Sequence, residues 1–217
     1  MELNLFVYVL LIFCIPYLSY SNFRIKPRKG FSILFISIIS SVILLNFSLL
    51  TVLGTLLLTA TLLINNKKIY PYFYGSSFTL LNIDIFNTLN LNIFDFFLNY
   101  LFPISLVSGV FSSMMIGHWF LVDPTISKEG MKKIAITSTF QSLILTPLVF
   151  FEFIGQDIES IFKNVILILF LSTSILSFAS YKSLGEKSYT GVMASTGLSY
   201  LSLIVSLGAS GGLLLLS

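Results

Sequence analysis

At 217 residues the chain has the length of a single domain, but 56% of its residues are hydrophobic, only 10% are charged, and mean hydropathy is +0.96. So few charges cannot cover a water-facing surface, which excludes a soluble protein; the net charge of +3 sits in short loops rather than in the long basic stripe that nucleic acid requires. The lone Cys14 excludes an internal disulfide and a thiolate metal site.

The first uncharged run, 3–20, is preceded by Glu2 rather than by a basic segment. It is followed by Arg24, Lys26, Arg28 and Lys29 without a small-residue cleavage pattern, so it reads as a retained membrane span. Residues 31–64 are also uncharged, and as one helix they would be about 50 Å long, well beyond the hydrocarbon thickness. They form either one long tilted helix or a hairpin turning near Asn46. Residues 69–96 carry Tyr70, Tyr72 and Tyr74 around Pro71, then Asn82, Asp84, Asn87, Asn90, Asn92 and Asp95. This mixture predicts an interfacial segment along the headgroups, with the tyrosines as an aromatic belt. Four further apolar runs, 97–122, 134–151, 165–181 and 190–217, have the length of a crossing helix.

The expected fold is therefore all-α, a single transmembrane helix bundle of about six spans, with 31–64 counted as one crossing. In that arrangement nine of the twelve Lys and Arg residues lie on one side, and Lys67, Lys68 and Lys163 on the other. Because cytoplasmic loops collect basic residues, this predicts a multi-pass protein of a cell inner membrane with both termini outside the cytoplasm.

In the 97–122 run, Ser105, Gly109, Ser113 and Gly117 recur every fourth residue, with Ser108 and Ser112 beside them. Positions four apart share a helix face, and small residues there let another backbone approach closely, so the stripe predicts a helix-packing seam. Ser202, Ser206 and Ser210, with Gly208, Gly211 and Gly212, offer a matching face in the last run.

The same helix ends in Gly117-His118-Trp119-Phe120-Leu121-Val122-Asp123-Pro124. This segment resembles a Gly-His-Trp-(Tyr or Phe)-Leu-Val stretch of uncharacterised polytopic bacterial membrane proteins. The resemblance covers about eight residues and implies membrane residence but no activity. Asp123-Pro124 reads as a helix stop and restart.

His118, the only histidine, has two readings. Beside Trp119 it suits the membrane boundary, where both rings have an apolar body and a polar edge. Turned inward, it would meet the next run at Gln141 and Ser142, and the four residues would form a contact for a small molecule such as a quinone. No metal is expected, because one histidine cannot build a tetrahedral site, and no cofactor is called for.

No carboxylate pair, histidine pair or phosphate-cradling glycine loop is present in the sequence. The expected function is thus a non-catalytic membrane subunit or small-molecule-binding scaffold, embedded in the lipid bilayer and partnered by other membrane subunits or by its own copies. The alternative is a small transporter or channel for an uncharged or lipidic substrate, its pathway lined by hydroxyls. A membrane enzyme using His118 ranks third.

Overall fold

The computed structural model of the chain describes residues 3–24, 29–63, 68–89, 92–122, 124, 128–186 and 188–216. Asp123, read as a helix stop, lies outside the described residues, as do Lys26, Arg28, Lys67, Asn90 and Lys187. All the regular structure among the described residues is helical: α1 (Leu3–Arg24), α2 (Lys29–Leu45), α3 (Leu49–Leu63), α4 (Tyr70–Leu89), α5 (Ile93–Val122), α6 (Glu129–Phe150), α7 (Ser160–Ser183) and α8 (Tyr189–Leu216). Four of these, α5 to α8, are long and apolar enough to cross a membrane. The chain divides into two compact units, Met1–Ile93 and Phe94–Ser217.

In the first unit, the uncharged stretch 31–64 is two helices rather than one. The break at residues 46–48 follows from its residues: Asn46 and Ser48 are poor helix formers, and Ser48 caps α3 by accepting the Thr51 backbone N–H at its Oγ, 3.0 Å away. The segment expected along the headgroups is the 20-residue helix α4, packed on α1 and α3. Its buried face is Tyr74, Ser77, Leu81, Asp84 and Ile85, spaced by three and four residues as one helical stripe. Leu81 packs so close to Gly54 of α3 that a Cβ there would lie 2.9 Å from the Leu81 side chain. Val9, Ile12, Phe13, Ile15 and Leu18 of α1, and Phe35, Ile38 and Val42 of α2, supply the apolar core. Phe13 meets Phe78 edge-on at 5.5 Å, and Phe35 meets Tyr74 likewise at 6.1 Å.

In the second unit, α7 packs on both α6 and α8, and α5 packs on α8 and α6, so the four helices surround a common axis. Its core changes character along that axis. Around the loop that follows α6 it is apolar, with Leu106, Val110, Leu145, Val149, Ile154, Ile158, Phe170 and Leu213 in mutual contact. Further along it is lined with hydroxyls. A six-residue π-helical stretch, Phe96–Leu101, opens α5 just before Pro103. The wider turn shifts the backbone carbonyl that a proline ring would otherwise strike.

The loop after α6 closes with Phe153 N–H donating to the Leu148 carbonyl at 2.9 Å and Glu152 N–H to the Val149 carbonyl at 3.2 Å. This is the Schellman ending of a helix, and it puts Glu152 at the left-handed position, with φ of 62°, where glycine is usual. The Glu152 side chain is held there by Lys163, whose Nζ donates to Oε1 at 2.7 Å.

Candidate functional site

The most concentrated polar structure lies in the first unit, where four residues from three segments converge on Asp84. The Tyr8 hydroxyl of α1 donates to Oδ2 at 2.7 Å and Asn46 Nδ2 donates to the same oxygen at 2.7 Å. Ser48 Oγ donates to Oδ1 at 2.5 Å, and Thr51 Oγ1 to Oδ2 at 3.1 Å. The Tyr8 and Thr51 hydroxyl oxygens are themselves 2.7 Å apart. Asp84 is only 5% exposed, so it has left water and replaced it with protein donors.

Each donor has a local reason to be there. Ser48 and Thr51 form the first turn of α3, whose exposed N–H groups give that end of the helix a partial positive charge facing the carboxyl. Asn46 opens the α2–α3 break, directly after the end of α2. Tyr8 comes from the second turn of α1, and Asp84 from the last part of α4. Bonding therefore sets the start of α1, the end of α2, the start of α3 and the end of α4 at one level. Successive helices of this unit must run in opposite directions.

Beside this cluster is a cleft of about 390 Å³ lined by Asn4, Leu5, Tyr8, Leu45, Asn46 and Thr88. Tyr8 and Asn46 belong to both the cleft wall and the Asp84 cluster. Thr88 is fixed by donating its hydroxyl to the Asp84 backbone carbonyl at 2.8 Å. With the Tyr8 and Thr88 hydroxyl protons turned to Asp84, these two side chains have acceptor lone pairs left over for the cleft, and Asn46, which gives one N–H to Asp84, keeps its Oδ1 and a second N–H. The arrangement can hold a small molecule rich in hydrogen-bond donors, with a carboxylate behind its wall.

In the second unit the sequence candidates are spread apart. His118 is exposed on the surface of α5, and Trp119 is half-buried with its Nε1 covered and without a hydrogen-bond partner among the described residues. Gln141 Nε2 donates to Ser105 Oγ at 3.0 Å, and Ser142 Oγ donates to the Phe170 carbonyl of α7 at 2.5 Å. Ser105 and His118 are thirteen residues apart on α5, about 20 Å along the helix, so Gln141 is engaged far from the imidazole. The four residues do not meet.

The small-residue stripe is all buried: Ser105, Gly109, Ser113 and Gly117 face inward. A Cβ on Gly117 would fall 2.5 Å from Thr196 Oγ1 of α8 and 2.9 Å from Met131 Cε of α6. Ser210 of α8 reaches α5, donating to the Pro103 carbonyl at 3.0 Å, whereas Ser202 pairs with Ser177 of α7 at 3.0 Å. Ser180 bonds Ser195 at 2.7 Å and Ser199 at 3.3 Å. These hydroxyls join helices to one another. Among the described residues no three His, Cys, Asp or Glu side chains come together as metal ligands.

No protein-family model, no curated protein and no solved structure matches the chain.

Sequence reasoning placed a turn near Asn46 in one of its two readings and Asp84 in an interfacial segment, and marked neither these nor Tyr8, Ser48 and Thr51 as site residues. The signal for Asp84 was present in the spacing of Tyr74, Ser77, Leu81, Asp84 and Thr88, which is helical. The density of asparagine and tyrosine around it masked that period.

Proposed function

We propose that the chain is a multi-pass membrane protein of the cell inner membrane that binds a small, donor-rich cation, such as a primary ammonium compound, in the cleft beside Asp84, and that it performs no catalysis of its own. The observation carrying this reading is the Asp84 carboxyl, held by four neutral donors behind the cleft wall. No lysine or arginine is paired with it among the described residues. A carboxylate surrounded by neutral groups at low dielectric leaves a negative potential that favours a cation in the adjoining space. A cleft of about 390 Å³ falls in the range of small-molecule sites.

The same cluster supports a topology finer than the six-span expectation. If α1 to α4 alternate in direction and each crosses, as do α5 to α8, eight helices cross. Arg24, Lys26, Arg28, Lys29, Lys67, Lys68, Lys128, Lys132, Lys133, Lys182 and Lys187 then lie on the cytoplasmic side, and Lys163 alone lies opposite. Eleven of twelve basic residues agree with the positive-inside rule, against nine for six spans. Both termini are outside the cytoplasm in either case. The Asp84 cleft then opens at the outer boundary, which suits a receptor or the outer binding site of a membrane complex better than a cytoplasmic enzyme. The transporter alternative has less support in the second unit, because Ser142, Ser202 and Ser210, among the hydroxyls expected to line a pathway, are engaged in helix-to-helix bonds.

The test is a thermal-shift series on the full chain in detergent with ammonium, ethanolammonium and putrescine, and with acetate and glycolate as controls. The cations should raise Tm in a saturable way, and Asn4→Ala, an exposed change in the cleft, should weaken that response without lowering the ligand-free Tm. An equal response to the anions, or none to any probe, would overturn the reading.

A further inference from the structure

We propose that the centre of the second unit binds a single water molecule that links its helices through serine hydroxyls. The site is a cavity of about 10 Å³, the room of one water, lined by Ser113 of α5, Ser138 of α6, Ser177 and Ser180 of α7, and Ser199 and Ser202 of α8, with Val110 and Ala135 completing the wall. Every helix of the bundle contributes. The α7 and α8 serines are already bonded to one another, Ser177 to Ser202 and Ser180 to Ser195 and Ser199. Ser113 and Ser138 are not: these residues are 3% and 1% exposed, and their Oγ atoms have no hydrogen-bond partner among the described residues.

Two buried hydroxyls on residues lining one cavity carry the desolvation cost of unmade bonds, and one water relieves both. It can bond Ser113 and Ser138 and still reach the spare lone pairs of the α7 and α8 serines, which meets the two to four partners that a buried water requires. A cation is a poorer occupant. Six neutral hydroxyls bring no negative charge, and in α5 from Phe96 onward, in α6 beyond Glu129, and throughout α7 and α8 there is no Asp or Glu to supply it. An apolar occupant would leave the hydroxyls unmet.

The sign of a serine-to-alanine change decides the matter. If a water bridges the two serines, Ser113→Ala and Ser138→Ala each remove one of its anchors, and each should lower Tm in detergent by about 2–4 °C. The double variant should fall by less than the sum, because both changes act on one molecule. If the cavity is dry, each alanine removes an unsatisfied buried hydroxyl, and Tm should stay level or rise; that result would overturn the proposal. A high-resolution structure of the full chain should show an oxygen at about 2.6–3.2 Å from both Oγ atoms. A Tm that rises with NaCl relative to choline chloride at equal ionic strength, and loses that rise in Ser138→Ala, would identify a cation instead and also overturn it.

Discussion

The Tyr8 hydroxyl donates to Asp84 at 2.7 Å across 76 residues of sequence, tying the second turn of α1 to the end of α4. Tyr8→Phe keeps the ring in its buried position and removes the bond to Asp84 together with the 2.7 Å contact to the Thr51 hydroxyl, so it should cost about 1.5–3 kcal/mol in thermal or denaturant unfolding. Asp84→Ala strands all four donors at once and should cost more, on the order of 3–5 kcal/mol, with Asp84→Asn between the two. A cycle combining Tyr8→Phe with Asp84→Asn should show strong coupling. Additive losses would mean that the two residues act separately.

Loop charge separates the eight-span from the six-span arrangement at one pair of residues, Lys67 and Lys68. In a Cys14→Ala background, a cysteine at Lys68 should be protected from an impermeant maleimide added from outside, as should one at Lys128, while a cysteine at Asp157 should react. Reaction at 68 with protection at 128 would restore six spans.

Gly117 faces Thr196 and Met131 with no room for bulk. Gly117→Leu should cost about 1–3 kcal/mol by overpacking. Gly117→Ala should cost less, since the atoms it meets are the ends of side chains, and Thr196→Ala on α8 should restore part of that loss. A Gly117→Leu variant as stable as the parent would show that the helices are not in close apposition there.

Lys163 holds the Glu152 carboxyl below its ordinary value of 4.5, first through the hydrogen bond and then through its charge. A carboxyl lowered in the folded state contributes stability that is present above the unfolded value and is lost as pH falls through the folded one. The Tm difference between the parent and Lys163→Gln should therefore be constant above about pH 5 and shrink below pH 4.5. Because the pair is exposed, the difference should be small and should diminish with salt. Glu152→Gly would abolish it while relieving the left-handed φ of 62°. A difference that grows on acidification would contradict the pairing.

The second unit was largely legible in the sequence, because long uncharged runs leave a helix little freedom once lipid forbids unpaired backbone groups. The stripe Ser105, Gly109, Ser113 and Gly117 was legible for the same reason: a period of four survives any rotation of the helix. The first unit was legible only in part: a break near Asn46 was one of the two readings of 31–64, and the structure has it. Its helices are short, its turn at Asn46 carries neither glycine nor proline, and Asp84 is buried only because Tyr8, Asn46, Ser48 and Thr51 arrive from up to 76 residues away. Such a compensation has no local signature. His118 drew attention as the only histidine, but rarity in the sequence does not bring partners to a ring, and the residues paired with it on paper bond elsewhere.

In the eight-span arrangement the break at Asn46 also bears on how the first unit would meet its lipids. Helix α2 has 17 residues and α3 has 15, so they are about 26 and 22 Å long, against a hydrocarbon layer of about 30 Å. The 28-residue α8 is about 42 Å long and can cross the same layer tilted. If α2 and α3 cross as proposed, lipids around the short pair would shorten their own reach to match it, drawing the aqueous boundary inward at the Asn46 turn. In that arrangement a thinner bilayer would relax the mismatch and a thicker one would sharpen it, so acyl-chain length would bear on how freely water and solutes approach Asp84.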